Sequence, residues 1–104
     1  MPKIQYSKAA SKDLQHIQEY ISENWGEDTA KKIVKSIISD IKDLEQHPGL
    51  GVSLGKMIDF PTNYRYLFLE KNYIFYQLEA DVIHIIRIAN ERQDFIRLLF
   101  GIQS

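Results

Sequence analysis

Cysteine is absent from the sequence, which removes disulfides, thiolate metal sites and cysteine nucleophiles at once. Proline and glycine are scarce, at three and five residues of 104. Two of those prolines and three of those glycines fall in one stretch, 48–61 (PGLGVSLGKMIDFP), which therefore reads as a loop, with a short strand expected around Leu54–Ile58. Its glycines do not follow the GxxxxGK[ST] or GxGxxG spacing that cradles phosphate. Neither sign of charge prevails: thirteen Lys and Arg face fourteen Asp and Glu, a formal charge of −1. Chains that grip nucleic acid by neutralising phosphate are normally basic, so no autonomous DNA binding is expected. No long uncharged apolar run is present and the first six residues do not resemble a signal peptide, so the expected location is cytoplasmic, with no membrane association. The three histidines, His16, His47 and His84, lack metal-ligand spacing such as HExxH, and the carboxylates are scattered. No metal and no cofactor is expected.

What the sequence does contain is a stretch dense in Tyr, Phe, Ile, Leu and Val from 64 to 92 (YRYLFLEKNYIFYQLEADVIHIIRIANER). Such residues suit a pleated surface, and Lys71-Asn72 and Ala80-Asp81 suit tight turns. The reading is a three-stranded antiparallel meander over 64–70, 73–79 and 82–89. Alternation then sorts the strands into two faces. One is aromatic (Tyr64, Tyr66, Phe68, Tyr73, Phe75, with Gln77, Val82, His84, Ile86 and Ile88), and is expected to lie under helices. The other is aliphatic, with an arginine near each of two corners (Arg65, Leu67, Leu69, Ile74, Tyr76, Leu78, Ile83, Ile85, Arg87).

Ahead of the meander, Lys3–Tyr6 reads as an edge strand and Ser7 as a helix N-cap. Ala10, Leu14, Ile17 and Ile21 recur at helical spacing, as do Ala30, Ile33, Val34, Ile37, Ile38, Ile41 and Leu44. Asn24-Trp25-Gly26 separates the two helices and His47-Pro48-Gly49 ends the second. After the meander, Phe95, Leu98 and Leu99 mark a short terminal helix stopped at Gly101. The 104 residues read as one α+β domain, 1–104, able to bury roughly two thirds of its unfolded surface. Its expected order is β-α-α-β-β-β plus a short C-terminal helix, with the helix hairpin packed on a mostly antiparallel sheet. Arg87, inside VIHIIRIAN, needs a partner or a ligand if its strand is central. His84 is expected to pair with Gln77.

The chain resembles the RelE/ParE superfamily of bacterial type II toxin–antitoxin toxins over nearly its whole length. The likeness rests on the element order and on Ser7…Ala10…Asp13-Leu14…Ile17…Tyr20-Ile21, His47-Pro48, Tyr64-Arg65, Asn72-Tyr73-Ile74-Phe75-Tyr76 and His84-Ile85-Ile86-Arg87-Ile88…Arg92-Gln93-Asp94. The resemblance implies a cytoplasmic toxin held inactive in a hetero-oligomer with a cognate antitoxin. Two activities occur under this fold, and fold does not choose between them: RelE-like cleavage of messenger RNA on the ribosome, and ParE-like inhibition of DNA gyrase by binding. Of the cationic positions in the ribonuclease pattern, Arg65 and Arg92 remain, while Leu67 and Ile74 are aliphatic and Leu98 falls where a tyrosine is expected. The likeness is therefore closer to ParE-like members, which are not enzymes. A ribonuclease would rely on Arg65, Arg92, His84 and Tyr76. A third reading is an inactive member that serves only as antitoxin partner and co-repressor.

The resemblance also divides the surface. Tyr20, Trp25, Ile33 and Ile37 on the helices, with Arg65, Leu67, Ile74 and Ile83 on the aliphatic face, are the expected antitoxin contacts. Arg87, Arg92, Arg97 and Phe95 are the expected target contacts.

Overall fold

The computed structural model describes residues 2–101. The first strand, β1 (Lys3–Tyr6), leads through Ser7 into α1 (Lys8–Trp25). The Ser7 hydroxyl caps that helix as its sequence suggests, accepting from the Ala10 N–H at 2.9 Å. Gly26, at φ 95°, turns the chain directly into α2 (Glu27–Lys42), a conformation that costs glycine little. A single 3₁₀ turn (Asp43–Glu45) follows. Then come β2 (Val52–Ser53), α3 (Leu54–Ile58), β3 (Arg65–Leu69), β4 (Asn72–Glu79), β5 (Val82–Asn90) and α4 (Phe95–Phe100). The five strands form one sheet in the order β1-β5-β4-β3-β2, parallel between β1 and β5 and antiparallel elsewhere.

Three local expectations need correcting. Leu54–Ile58 is a helical turn, closed by Asp59 in the left-handed region and by the Phe60 N–H donating to the Gly55 carbonyl, so the strand there shrinks to Val52–Ser53. The first hairpin turns on Glu70-Lys71, both at positive φ, rather than on Lys71-Asn72. Asn72 starts β4 opposite Leu69, a two-residue shift that leaves the faces of β3 and β4 unchanged. The second hairpin pairs Glu79 with Val82 as expected, but a bulge then places Arg87 opposite Phe75 and Ile88 opposite Ile74. Beyond it, β5 exchanges faces, so Ile88 joins the aliphatic side.

The larger correction concerns which side the helices cover. They lie on the aliphatic face: Leu67, Ile74, Tyr76, Ile83, Ile85 and Ile88 are buried with Ala10, Ile37, Ile41 and Leu44. The aromatic face is closed instead by the short helices α3 and α4, with Leu54, Phe75 and Ala89 at its centre. Phenolic hydroxyls explain the choice, because a buried O–H needs a partner. Tyr64, Tyr66 and Tyr73 stay half-exposed under the small helices. Tyr76, the one meander tyrosine on the helix side, donates to the Pro48 carbonyl at 3.0 Å and accepts from the Gly51 N–H at 2.9 Å.

β1 accompanies β5 only as far as Ile85. Past that point α1 takes over the edge of β5. The Ser7 hydroxyl donates to the Ile86 carbonyl, and the Asp13 carboxylate accepts from the Ile88 N–H at 2.9 Å. Asp13 also accepts from Arg87 Nε at 2.8 Å and Nη2 at 3.0 Å.

Replacing Asp13 with Ala removes three hydrogen bonds and strands a partly buried guanidinium, so urea unfolding should show a loss of about 2–4 kcal/mol. The Asp13→Ala, Arg87→Ala double variant should recover part of that loss, and strictly additive effects would contradict the pairing. In Gly51→Ala, the new Cβ would sit 2.5 Å from the Tyr76 hydroxyl and 2.8 Å from the Tyr66 carbonyl oxygen. That overlap should lower stability by about 1–3 kcal/mol, measured in the same way.

A groove between the helix hairpin and the sheet end

A groove of about 750 Å³ runs between the second half of α1, the start of α2, the β3–β4 turn and the end of β5. Its apolar floor comes from Ile17, Ile21, Ile33 and Ile88. Tyr20 and Trp25 stand beside it as an edge-on aromatic pair with centroids 6.0 Å apart. They are 58% and 62% exposed, a large apolar area for water to meet. The other wall is polar and includes Lys71, Asn72, Asn90, Arg92 and Gln93, with His16 contributed by α1. The Arg92 backbone N–H donates to Asn90 Oδ1 and the Asn90 N–H donates to Gln93 Oε1. These bonds fix the chain as it leaves β5, and Arg92 itself is exposed.

Of the expected antitoxin contacts, Tyr20, Trp25 and Ile33 come together in this groove. Ile37, Leu67, Ile74 and Ile83 do not, since they lie in the core; the aliphatic face is the floor of the molecule and not an open hollow. Arg65 is also committed elsewhere. Its Nη2 donates to the carbonyls of Gly49 and Gly51, pinning the 48–61 loop over Tyr76.

The expected target contacts separate as well. Arg87 is held by Asp13, whose hydrogen bonds raise its pKa above the ordinary arginine value against a smaller opposing effect of burial, so the guanidinium stays charged and engaged. Phe95 packs on Tyr73 and Phe75 at 5.3 and 5.2 Å, where it anchors α4. Arg92 and Arg97 are exposed, and only Arg92 enters the groove. The set Arg65, Tyr76, His84 and Arg92 does not converge. Tyr76 pairs with Ile85 and His84 with Gln77, which puts the phenol and the imidazole on opposite faces, while Arg92 lies beyond the far end of β5. Gln77 does face His84, but it donates to Asn63 Oδ1 at 2.8 Å instead of bonding to the imidazole.

The sequence reasoning missed His16, Lys71, Asn90 and Gln93 as groove residues. Turn and strand-end positions carry no periodic signal that could have marked them. The sequence also holds a G-x-S-x-G spacing at Gly51, Ser53 and Gly55. Ser53 has ordinary extended backbone and makes no capping bond. Gly51 and Gly55 are there for close packing, against Tyr76 and the Phe60 carbonyl. Among the described residues no group of three or more His, Cys, Asp or Glu could hold a metal ion, and no helix is long and apolar enough to cross a membrane.

Residues 4–95 match the family described as "ParE toxin of type II toxin-antitoxin system, parDE". Among solved structures, the chain is similar to one titled "Chromosomal ParDE TA system from P. aeruginosa", at 24% identity and a TM-score of 0.74, over 86% of this chain and 96% of that one. It is also similar to YafQ from E. coli strain BL21(DE3), at 18% identity and a TM-score of 0.47, over 97% and 100% of the two chains. No curated protein matches. The first of these structures shares the arrangement described above, a helix pair on a five-stranded mixed sheet with a short C-terminal helix. The family match spans most of the sequence, and the chain belongs to the ParE toxin family of type II toxin–antitoxin systems.

Proposed function

We propose that this toxin acts by binding rather than by cutting, that its target is DNA gyrase, and that its cognate antitoxin neutralises it by filling the groove between α1, α2 and the end of β5. The observation that carries the reading is the fate of the cations. Stabilising the charge that develops on a scissile phosphate takes several donors aimed at one point. Here two of the four meander and tail arginines are spent on intrachain bonds, Arg65 on the Gly49 and Gly51 carbonyls and Arg87 on Asp13. Arg92, just past the end of β5, and Arg97, on α4, are exposed and left to meet a target. The groove offers the reverse character, an apolar floor with Tyr20 and Trp25 beside it. Aromatic anchors beside a pocket are where binding energy between proteins concentrates, and an amphipathic antitoxin segment fits that description.

Purified toxin should block gyrase supercoiling and leave messages intact on translating ribosomes. Cleaved transcripts alongside unaffected supercoiling would refute this reading. Arg92→Ala should raise the concentration needed for half-inhibition about tenfold with no change in melting temperature. Trp25→Ala should weaken antitoxin binding by roughly thirtyfold or more, as for an interface hot spot, which isothermal titration would measure.

A further inference from the structure

Among the described residues, Asn72 is the one polar or charged residue that is buried, at 5% exposure. It opens β4 directly after the Glu70-Lys71 turn and lines the groove. Half of its amide has a clear structural role, because Nδ2 donates to the Glu70 carbonyl at 2.8 Å and closes the turn. That bond fixes the orientation of the amide, since the opposite flip would set two oxygens against each other. The other half has no such role within the chain. Oδ1 is buried and has no hydrogen-bond partner, a costly state for a strong acceptor.

We propose that Asn72 is the specificity-determining residue of the groove. Its Oδ1 receives a side-chain N–H carried by the otherwise apolar antitoxin segment seated there. The proposal rests on the groove being the antitoxin seat. The oxygen is shut off from water in the free chain, so solvent does not compete for it. The turn residues beside it, Glu70 and Lys71, are exposed and line the same groove. A site of this kind discriminates strongly: a segment that is apolar at the matching position leaves the acceptor unpaired and binds less well than one that delivers an N–H. Cognate and non-cognate antitoxins with equally apolar segments are then told apart by one hydrogen bond.

The test is side-chain amide and carbonyl NMR of the isotope-labelled toxin, free and saturated with its unlabelled full-length cognate antitoxin. The expected result is a downfield move of the Asn72 Cγ resonance, with little change at its Nδ2 protons, together with shifts of the Tyr20 and Trp25 rings. Asn72→Leu, which keeps the branched shape and heavy-atom count, should bind that antitoxin about tenfold more weakly, the size of one hydrogen bond. An unmoved Asn72 carbonyl beside shifted Tyr20 and Trp25 rings would overturn the role of Asn72 and leave the groove reading standing. Unmoved Tyr20 and Trp25 rings on a saturated complex would overturn both. Because the spectra are read on the unaltered chain, the test does not depend on whether Asn72→Leu folds.

Discussion

Strand β5 outruns its parallel neighbour, and the carboxylate of Asp13 replaces the missing strand. Where β1 ends opposite Ile85, an edge of unpaired backbone would otherwise face solvent or a neighbouring chain. Asp13 accepts from the Ile88 N–H and from the Arg87 guanidinium together, and so ties the middle of α1 to the last turns of the sheet. That tie sets the distance between the helix hairpin and the end of β5, and the groove is the space it leaves. Asp13 itself lines that space. The pair is only partly buried, at 25% and 11% side-chain exposure, so it escapes the full desolvation cost that makes deeply buried ion pairs poor stabilisers.

The two faces of the sheet divide the work. Ile37, Ile41, Ile74, Ile83, Ile85 and Ile88 interlock under the helix hairpin, where stiff β-branched side chains fill space without polar atoms to satisfy. The rings of Tyr66, Tyr73, Phe75 and Phe95 contact one another on the other side, held by a six-residue helix that Asp94 starts and Gly101 ends. With both faces largely occupied, the groove opens at the rim of the sheet. Tyr20, Trp25 and Arg92 stand there because helix ends and strand ends meet at that rim.

Much of this was legible in the sequence. Ser7, the isoleucine spacing, Gly26 and the β-branched meander each act through neighbours within a few residues, and each gave its element correctly. Arg87 was recognisable as a charge in need of a partner. Its partner was not, because Asp13 lies 74 residues away and looks like any polar residue on the outer face of a helix. The bulge opposite Phe75 and Tyr76 was also invisible. It inserts one residue into β5, and from there alternation assigns Ile88 to the wrong side. Neither face shows in sequence which one the helices will choose; the hydroxyl on Tyr76 and its two partners decide that only in three dimensions. Leu67, Ile74 and Ile83 are buried for this reason and Arg65 is bonded within the chain, while Tyr20, Trp25 and Ile33 line the groove.

The proposal that joins fold to function is that the partner silencing this toxin lies between the helix hairpin and the end of β5. Amide hydrogen exchange on the toxin, alone and with saturating antitoxin, tests it most directly. The account predicts new protection in 16–25 and 88–93 and at the 70–72 turn, with the segment 50–60 unchanged. Protection confined to 50–60 and α4, with the groove segments exchanging as they do in the free chain, would contradict it.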